Sequence, residues 1–347
     1  MTFFMRASFL RIGVSKTING NTVSLLVMDA IVVRDLSKQF GHVKALDRIS
    51  FSVATGETFG FLGPNGAGKT TTIRILTGIS APTSGHAMIF GFDIERQRLL
   101  ARRHLGIVSE TSNVYDELSA WDNMMFSAEL YYVPRATREA KARELLDLFG
   151  LYERRNDLAH GFSKGMKRRL TLAMGLINDP ELVFLDEPTS GLDVASNLII
   201  RDVIRELNKS GVTIFLTTHN IEEANLTCDR VAIINKGQIA AIDSPEKLKG
   251  TIQSVQSVEV SFNRPAPDSL PVLATIPGVN DAKKEGDKIR LFTANPSVVI
   301  PLVVSFAERE HLGIVSLNTV GPSLEDVFIR LTGLEGRPGL KGVRAID

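Results

Sequence analysis

The chain has little of several things, and each scarcity closes off a class of protein. It holds one cysteine, Cys228, in 347 residues, so no internal disulfide can staple it and a disulfide-built secreted scaffold is excluded. Cys228 itself reads as a small buried hydrophobe. No apolar run approaches about 18 residues, the length at which a helix begins to span a bilayer. Neither sign of charge dominates: 40 lysines and arginines face 39 aspartates and glutamates, a net charge of +1. That balance supplies no global field for nucleic acid or an anionic membrane. Sustained heptads are missing too, which excludes a long coiled coil. What is plentiful is apolar mass, 44% of the residues, enough at this length for two domains with full cores.

From residue 31 to about 250, strand-like and helical stretches alternate, the pattern of an α/β domain with a largely parallel sheet. Residues 59–62, 182–186 and 213–217 are near-continuous apolar runs, as strands covered on both faces should be. Residues 115–179 instead keep a helical period, with Leu145, Leu146 and Phe149 on one face, and read as a helical insertion. Ahead of this domain, residues 1–27 carry Arg6, Arg11 and Lys16, no acid and no periodicity. They read as a disordered extension before a start at Met28, the competing reading being a basic membrane-surface anchor.

The chemistry begins at residues 63–71, GPNGAGKTT. Gly63, Pro64, Asn65, Gly66, Ala67 and Gly68 form a glycine-rich loop of the kind that turns successive backbone N–H groups toward a phosphate. Lys69 would place a charge on the β- and γ-phosphates, and the hydroxyl of Thr70, followed by Thr71, would ligate Mg²⁺. The helix opening at the loop adds a partial positive charge. Downstream, residues 182–187 form an apolar strand ending in Asp186 and Glu187. Asp186 suits a Mg²⁺ ligand, and Glu187 can polarise an attacking water. His219 ends another core strand and can bond a phosphate oxygen or fix that water. All three strand ends fall at the carboxyl edge of a parallel sheet, where ligands bind. In residues 162–169, FSKGMKRR, Ser163 is an N-cap. Lys164, Lys167, Arg168 and Arg169 crowd the first turns, where cations oppose the helix dipole unless an anion docks there.

In this order the pieces resemble the ATP-binding subunit of ABC transporters, over about residues 28–250. Residues 63–71 match the Walker A loop, and 182–187 the Walker B strand with its catalytic glutamate. Ser163 to Lys167 match the signature motif in a variant form, Ser190-Gly191-Leu192-Asp193 the D-loop and His219 the switch histidine. Phe40 falls where the family stacks an aromatic on adenine. At the Q-loop position, after the strand 105–108, this chain has Glu110 in place of glutamine. A carboxylate can still approach the metal or its water but cannot donate a hydrogen bond. The resemblance implies a P-loop NTPase sheet, ATP and Mg²⁺ as cofactors, and a head-to-tail pair in which Ser163 and Gly165 of one copy close on ATP held by the other. It also implies separate integral-membrane permease subunits, a place at the cytoplasmic face of the membrane, and export, because Glu325-Asp326-Val327-Phe328 resembles the ending of drug- and polysaccharide-exporter ATPases. The rival is a soluble ATPase of the same superfamily acting on ribosomes or nucleic acid. A single set of motifs and a neutral charge disfavour it.

After residue 250 the character changes. Strand 257–262, a hairpin around Gly286-Asp287, helix 298–310, strand 314–320 and helix 323–331 suit a small ferredoxin-like α+β module over 251–335. Residues 336–347 read as a tail. No catalytic constellation appears in this module, which is expected to regulate or to contact a second copy.

Overall fold

The computed structural model describes residues 29–251, 256–264 and 269–333, together with the backbone of 16–18 and 21–23. In that last stretch β1 (Lys16–Ile18) and β2 (Asn21–Val23) pair antiparallel, so these six residues are paired strand rather than disordered extension. The rest of 1–27, the tail 336–347 and Met28 lie outside the described residues. The chain divides into two compact units, 1–242 and 243–347.

In the first unit, β3 (Asp29–Phe40) and β4 (Val43–Ala54) form a long hairpin, and β5 (Thr58–Leu62) leads into α1 (Lys69–Leu76). β6 (Ser84–Ile89) and β7 (Phe92–Asp93) return to the hairpin and complete an antiparallel sheet ordered β4-β3-β6-β7. After α2 (Arg98–Arg102) and β8 (Leu105–Val108) the chain is helical, through α3 (Ala120–Leu130), α4 (Arg135–Leu148) and α5 (Lys164–Gly175). This is the insertion legible in the helical period. β9 (Leu182–Asp186), α6 (Val194–Lys209), β10 (Thr213–Thr218), α7 (Ile221–Thr227), β11 (Arg230–Asn235) and β12 (Gln238–Asp243) follow.

The second sheet runs β12-β11-β5-β10-β9-β8, with β11, β5, β10, β9 and β8 mutually parallel. β5, β9 and β10 are buried along their whole length, which is why their sequences do not alternate. Phenylalanine supplies much of the filling. Phe215 on β10 stacks on Phe59 (5.8 Å between centroids) and meets Phe61 (5.5 Å) and Phe184 (5.3 Å) on the flanking strands. Each such ring is worth about 3–5 kcal/mol against truncation to alanine. One strand position must stay small, since a side chain at Gly60 would meet the Cys228 sulfur at 2.6 Å. Cys228 is buried, as its sequence context suggests, and burial pushes its thiol well above the ordinary range.

In the second unit, α8 (Pro245–Gly250) is capped by Ser244 with proline at its first turn, and it packs on α11 (Leu324–Thr332). Between them run β13 (Gln256–Phe262), α9 (Ser269–Ala274), β14 (Asp281–Glu285), β15 (Lys288–Thr293), α10 (Pro296–Arg309) and β16 (Ile314–Val320). The sheet order is β14-β15-β13-β16, antiparallel throughout. That is the ferredoxin-like arrangement the sequence suggests. Val258, Val260, Leu291, Val299 and Val303 form its core. The division falls at 242/243 rather than near 250, and α8 packs on α11 within the second unit.

Candidate functional site

The parallel register decides what can meet. Asp186 pairs with Thr217 and Leu62 with Thr218, so the ends of β5, β9 and β10 arrive level at one sheet edge. Gly63 donates its N–H to the Thr218 carbonyl at 3.2 Å, fastening the loop to that edge. Gly66 and Gly68 have φ of +80° and +113°, conformations closed to most side chains. Gly63 is required for a different reason: a Cβ there would meet the Ile234 carbonyl at 2.5 Å.

α1 opens at Lys69, whose ammonium donates to the Gly63 carbonyl at 2.7 Å and lies 3.2 Å from Glu187 Oε1. Glu187 Oε2 accepts from the backbone N–H of His219 (3.3 Å) and stands 2.7 Å from His219 Nδ1. Lys69 and Glu187 are each about 7% exposed at the side chain, whereas His219 is half-exposed. Three residues far apart in sequence are thus brought together, with the carboxylate held between an ammonium and an imidazole. Asp186 Oδ1 accepts from Thr217 Oγ1 at 2.5 Å and from Thr70 Oγ1 at 3.4 Å. A hydroxyl beside a carboxylate is an all-oxygen donor set of the kind a hard divalent cation uses when phosphates and water complete its shell. Thr217 is an addition that sequence alone passed over.

Phe40 ends β3 with its ring half-exposed and the Lys38 ammonium 4.9 Å from its centroid. Thr71 lies in the first turn of α1. Glu110 follows β8 with its side chain exposed, and its carbonyl, not its carboxylate, makes the contact with Arg168 at 3.2 Å. Asp193 caps α6, accepting from Ser196 N–H and Oγ at 2.8 Å each, and the Ser196 backbone bond first of all lowers its pKa.

Ser163 caps α5, accepting from the Met166 N–H at 3.2 Å. Its hydroxyl keeps one proton to donate. Gly165 lets α5 approach α6, because a methyl there would overlap Ser196 Oγ. The basic crowding at this helix has an explanation other than a waiting anion. Lys167 pairs with Asp116 at 2.6 Å, and Arg169 donates to the Phe149 carbonyl at 2.8 Å. Arg168 is buried and bonds only to backbone carbonyls of segments 109–110 and 186–188. Three of the four cations are therefore spent on intrachain partners, which offsets their unfavourable place near the helix start.

A glycine-rich loop, a helix start, a strand-end carboxylate pair and a histidine at one sheet edge define a nucleotide-phosphate site. The comparisons with known proteins agree. Residues 46–190 match the family model described as ABC transporter. The chain is 33% identical to a linearmycin resistance ATP-binding protein of Bacillus subtilis over 301 residues, 86% of this chain and 97% of that one. It is 37% identical to a Nod factor export ATP-binding protein of Rhizobium sp. over 308 residues, 88% and 98% of the two chains. Among solved structures, an ATP-binding subunit of an ABC transporter superposes with a TM-score of 0.60 at 29% identity, covering 64% of this chain and 93% of that one. A dimeric cassette bound to ADP and Pi, at 24% identity and a TM-score of 0.57, shares the fold. The chain belongs to the ATP-binding subunits of the ABC transporter family, whose cassettes hydrolyse ATP.

Proposed function

We propose that this chain powers an exporter, working as a pair of copies that close on ATP and drive separate permease subunits at the cytoplasmic face of the membrane. The observation that carries the reading is Glu187, buried between Lys69 and His219 at the end of β9. In this reading the Gly63–Thr71 loop and Lys69 hold the phosphates, and Phe40 stacks on the adenine. Glu187 takes the proton of the attacking water, with His219 fixing its carboxylate. Mg²⁺ fits the Thr70–Asp186 pair, which would hold it, with Glu110 as a further candidate ligand. When bound it neutralises charge on the phosphate oxygens. Ser163, Gly165 and Asp193 act on the nucleotide of the partner copy.

Export is supported by the relatives' names, a resistance and an export protein. A separate permease is supported in two ways. Among the described residues no helix is long and apolar enough to cross a membrane. A groove of about 1010 Å³ between α2 and the start of α4 also bears Leu99, Leu130 and Tyr132, all largely exposed. Exposed apolar side chains clustered along one groove mark a binding surface. Glu187→Gln tests the reading. It should retain nucleotide binding, lose turnover by at least about 100-fold, and accumulate as an ATP-bound pair in sedimentation. Normal turnover in that variant removes Glu187 from the mechanism.

A further inference from the structure

The inference here rests on the pairing just proposed, in which α5 presents Ser163 and Gly165 to the nucleotide of a second copy. Fifth of the twelve residues of α5 is Arg168, 5% exposed. Its guanidinium carries five N–H donors in a rigid planar fork, and five backbone carbonyls receive them. Nε donates to Pro188 (3.0 Å), Nη2 to Asp186 (2.7 Å) and Glu187 (3.1 Å), and Nη1 to Glu110 (3.2 Å) and Ser109. Three of the acceptors are consecutive residues at the end of β9. Consecutive carbonyls converge on one point because the chain reverses at Glu187, whose φ is +48°. A residue with a side chain rarely adopts that conformation, and it persists where the surroundings over-determine it. Here the Thr217 carbonyl holds the Glu187 N–H at 3.1 Å while Arg168 holds its carbonyl. The charge of Arg168 is balanced by Asp186, Glu110, Glu223 and Glu187 around it, not by a direct ion pair.

We infer that Arg168 is a positioning residue that ties the nucleotide-contacting start of α5 to the turn carrying Glu187, so that seating of Ser163 on one ATP is read at the hydrolytic carboxylate beside the other. Each copy gives its loop and Glu187 to one site and its Ser163 to the second, and Arg168 is the rigid link between the two. The same residue fixes the 109–110 segment, so Glu110 moves with Glu187 rather than independently. Arg168 supplies geometry, and it touches neither substrate nor metal.

The full chain with Arg168→Met and, separately, Arg168→Lys tests this. Lysine keeps the charge but offers three donors from a point, too few for five acceptors. In both variants, affinity for a fluorescent ATP analogue should stay within about threefold of wild type, because the loop and Lys69 are intact. Turnover should fall by about tenfold or more, and the Hill coefficient for ATP should drop from above 1 toward 1. An unchanged Hill coefficient, a parallel loss of affinity and turnover, or full rescue by lysine overturns the inference. Should both variants fold poorly, hydrogen exchange on Glu187→Gln serves instead. ATP-induced pairing should protect residues 163–168, 109–110 and 186–190 together, and protection confined to 163–168 overturns the link. Failure of Glu187→Gln to pair at all sinks the paired-cassette reading and the link with it. Pairing there with an unchanged Hill coefficient in the arginine variants sinks the link alone.

Discussion

Glu223 shows how a buried carboxylate near the site shapes stability without sitting in the site. It lies in the first turn of α7, 3% exposed, and accepts from the Thr189 hydroxyl at 2.7 Å. Burial raises its pKa, the Thr218 and Thr189 hydroxyls oppose that, and the Glu187 charge adds to it. A raised folded pKa means the native state keeps a proton the unfolded chain has lost. Stability is therefore whole below the unfolded value, near 4.5, and falls as pH rises through the folded one. Glu223→Gln keeps an acceptor for Thr189 and has no proton to lose. Urea melts should find it more stable than wild type at pH 8, with the difference gone near pH 4; equal pH slopes would refute the assignment. At this scale the sequence was most legible where chemistry is local. Lys69, Thr70, Asp186, Glu187 and His219 could be chosen because each ends or begins a recognisable element. Arg168 and Thr217 could not. Their partners lie up to 59 positions away and, for Arg168, are backbone carbonyls that leave no side-chain signature.

The contact between α5 and α6 is where two elements must come unusually close. Gly165 has no side chain, and the α6 cap, Asp193 with Ser196, fills the space beside it. Gly165→Ala should therefore push the helices apart, costing about 1–3 kcal/mol as an overpacked contact does. Ser196→Gly in the same chain removes the two nearest atoms the methyl meets, leaving Asp193 Oδ2 at 3.1 Å, and should recover part of that loss in a thermal melt. Recovery absent, with the single variant destabilised, would place the strain elsewhere. The helix starts here were partly readable. Ser163 announces itself as a cap, and Asp193 caps α6 in its own chain as well. The crowded cations of α5 were not fully readable, because helix-dipole arithmetic counts charge near an end and does not see that Lys167, Arg168 and Arg169 each find a partner on another segment.

For the whole molecule, the division after Ile242 assigns separate work to two compact units. The parallel sheet, the helical insertion and every candidate site residue lie in the first unit. The second has its own core, its own ferredoxin-like sheet and its own capped helices. The alternation of apolar runs announced the first, and the hairpin signal at Gly286-Asp287 with the flanking strand and helix runs announced the second. The eight-residue misplacement of the boundary came from α8, which looks like a continuation of the first unit until its packing on α11 is seen. A chain ending at Asp243, the last residue of β12, should consequently melt cooperatively and bind nucleotide with wild-type affinity, since the bonds described for the phosphate loop, to Thr218, Gly237 and Glu187, are made within the first unit. If the second unit contacts a partner copy, ATP-induced pairing of Glu187→Gln in that shortened chain should weaken by about tenfold, the order of a single coupling free energy between sites. Sedimentation in ATP at matched concentrations reads this directly. Pairing as tight as in the full chain, with the same ATPase activity, would leave the second unit without a part in the catalytic pair and move its role to the permease side.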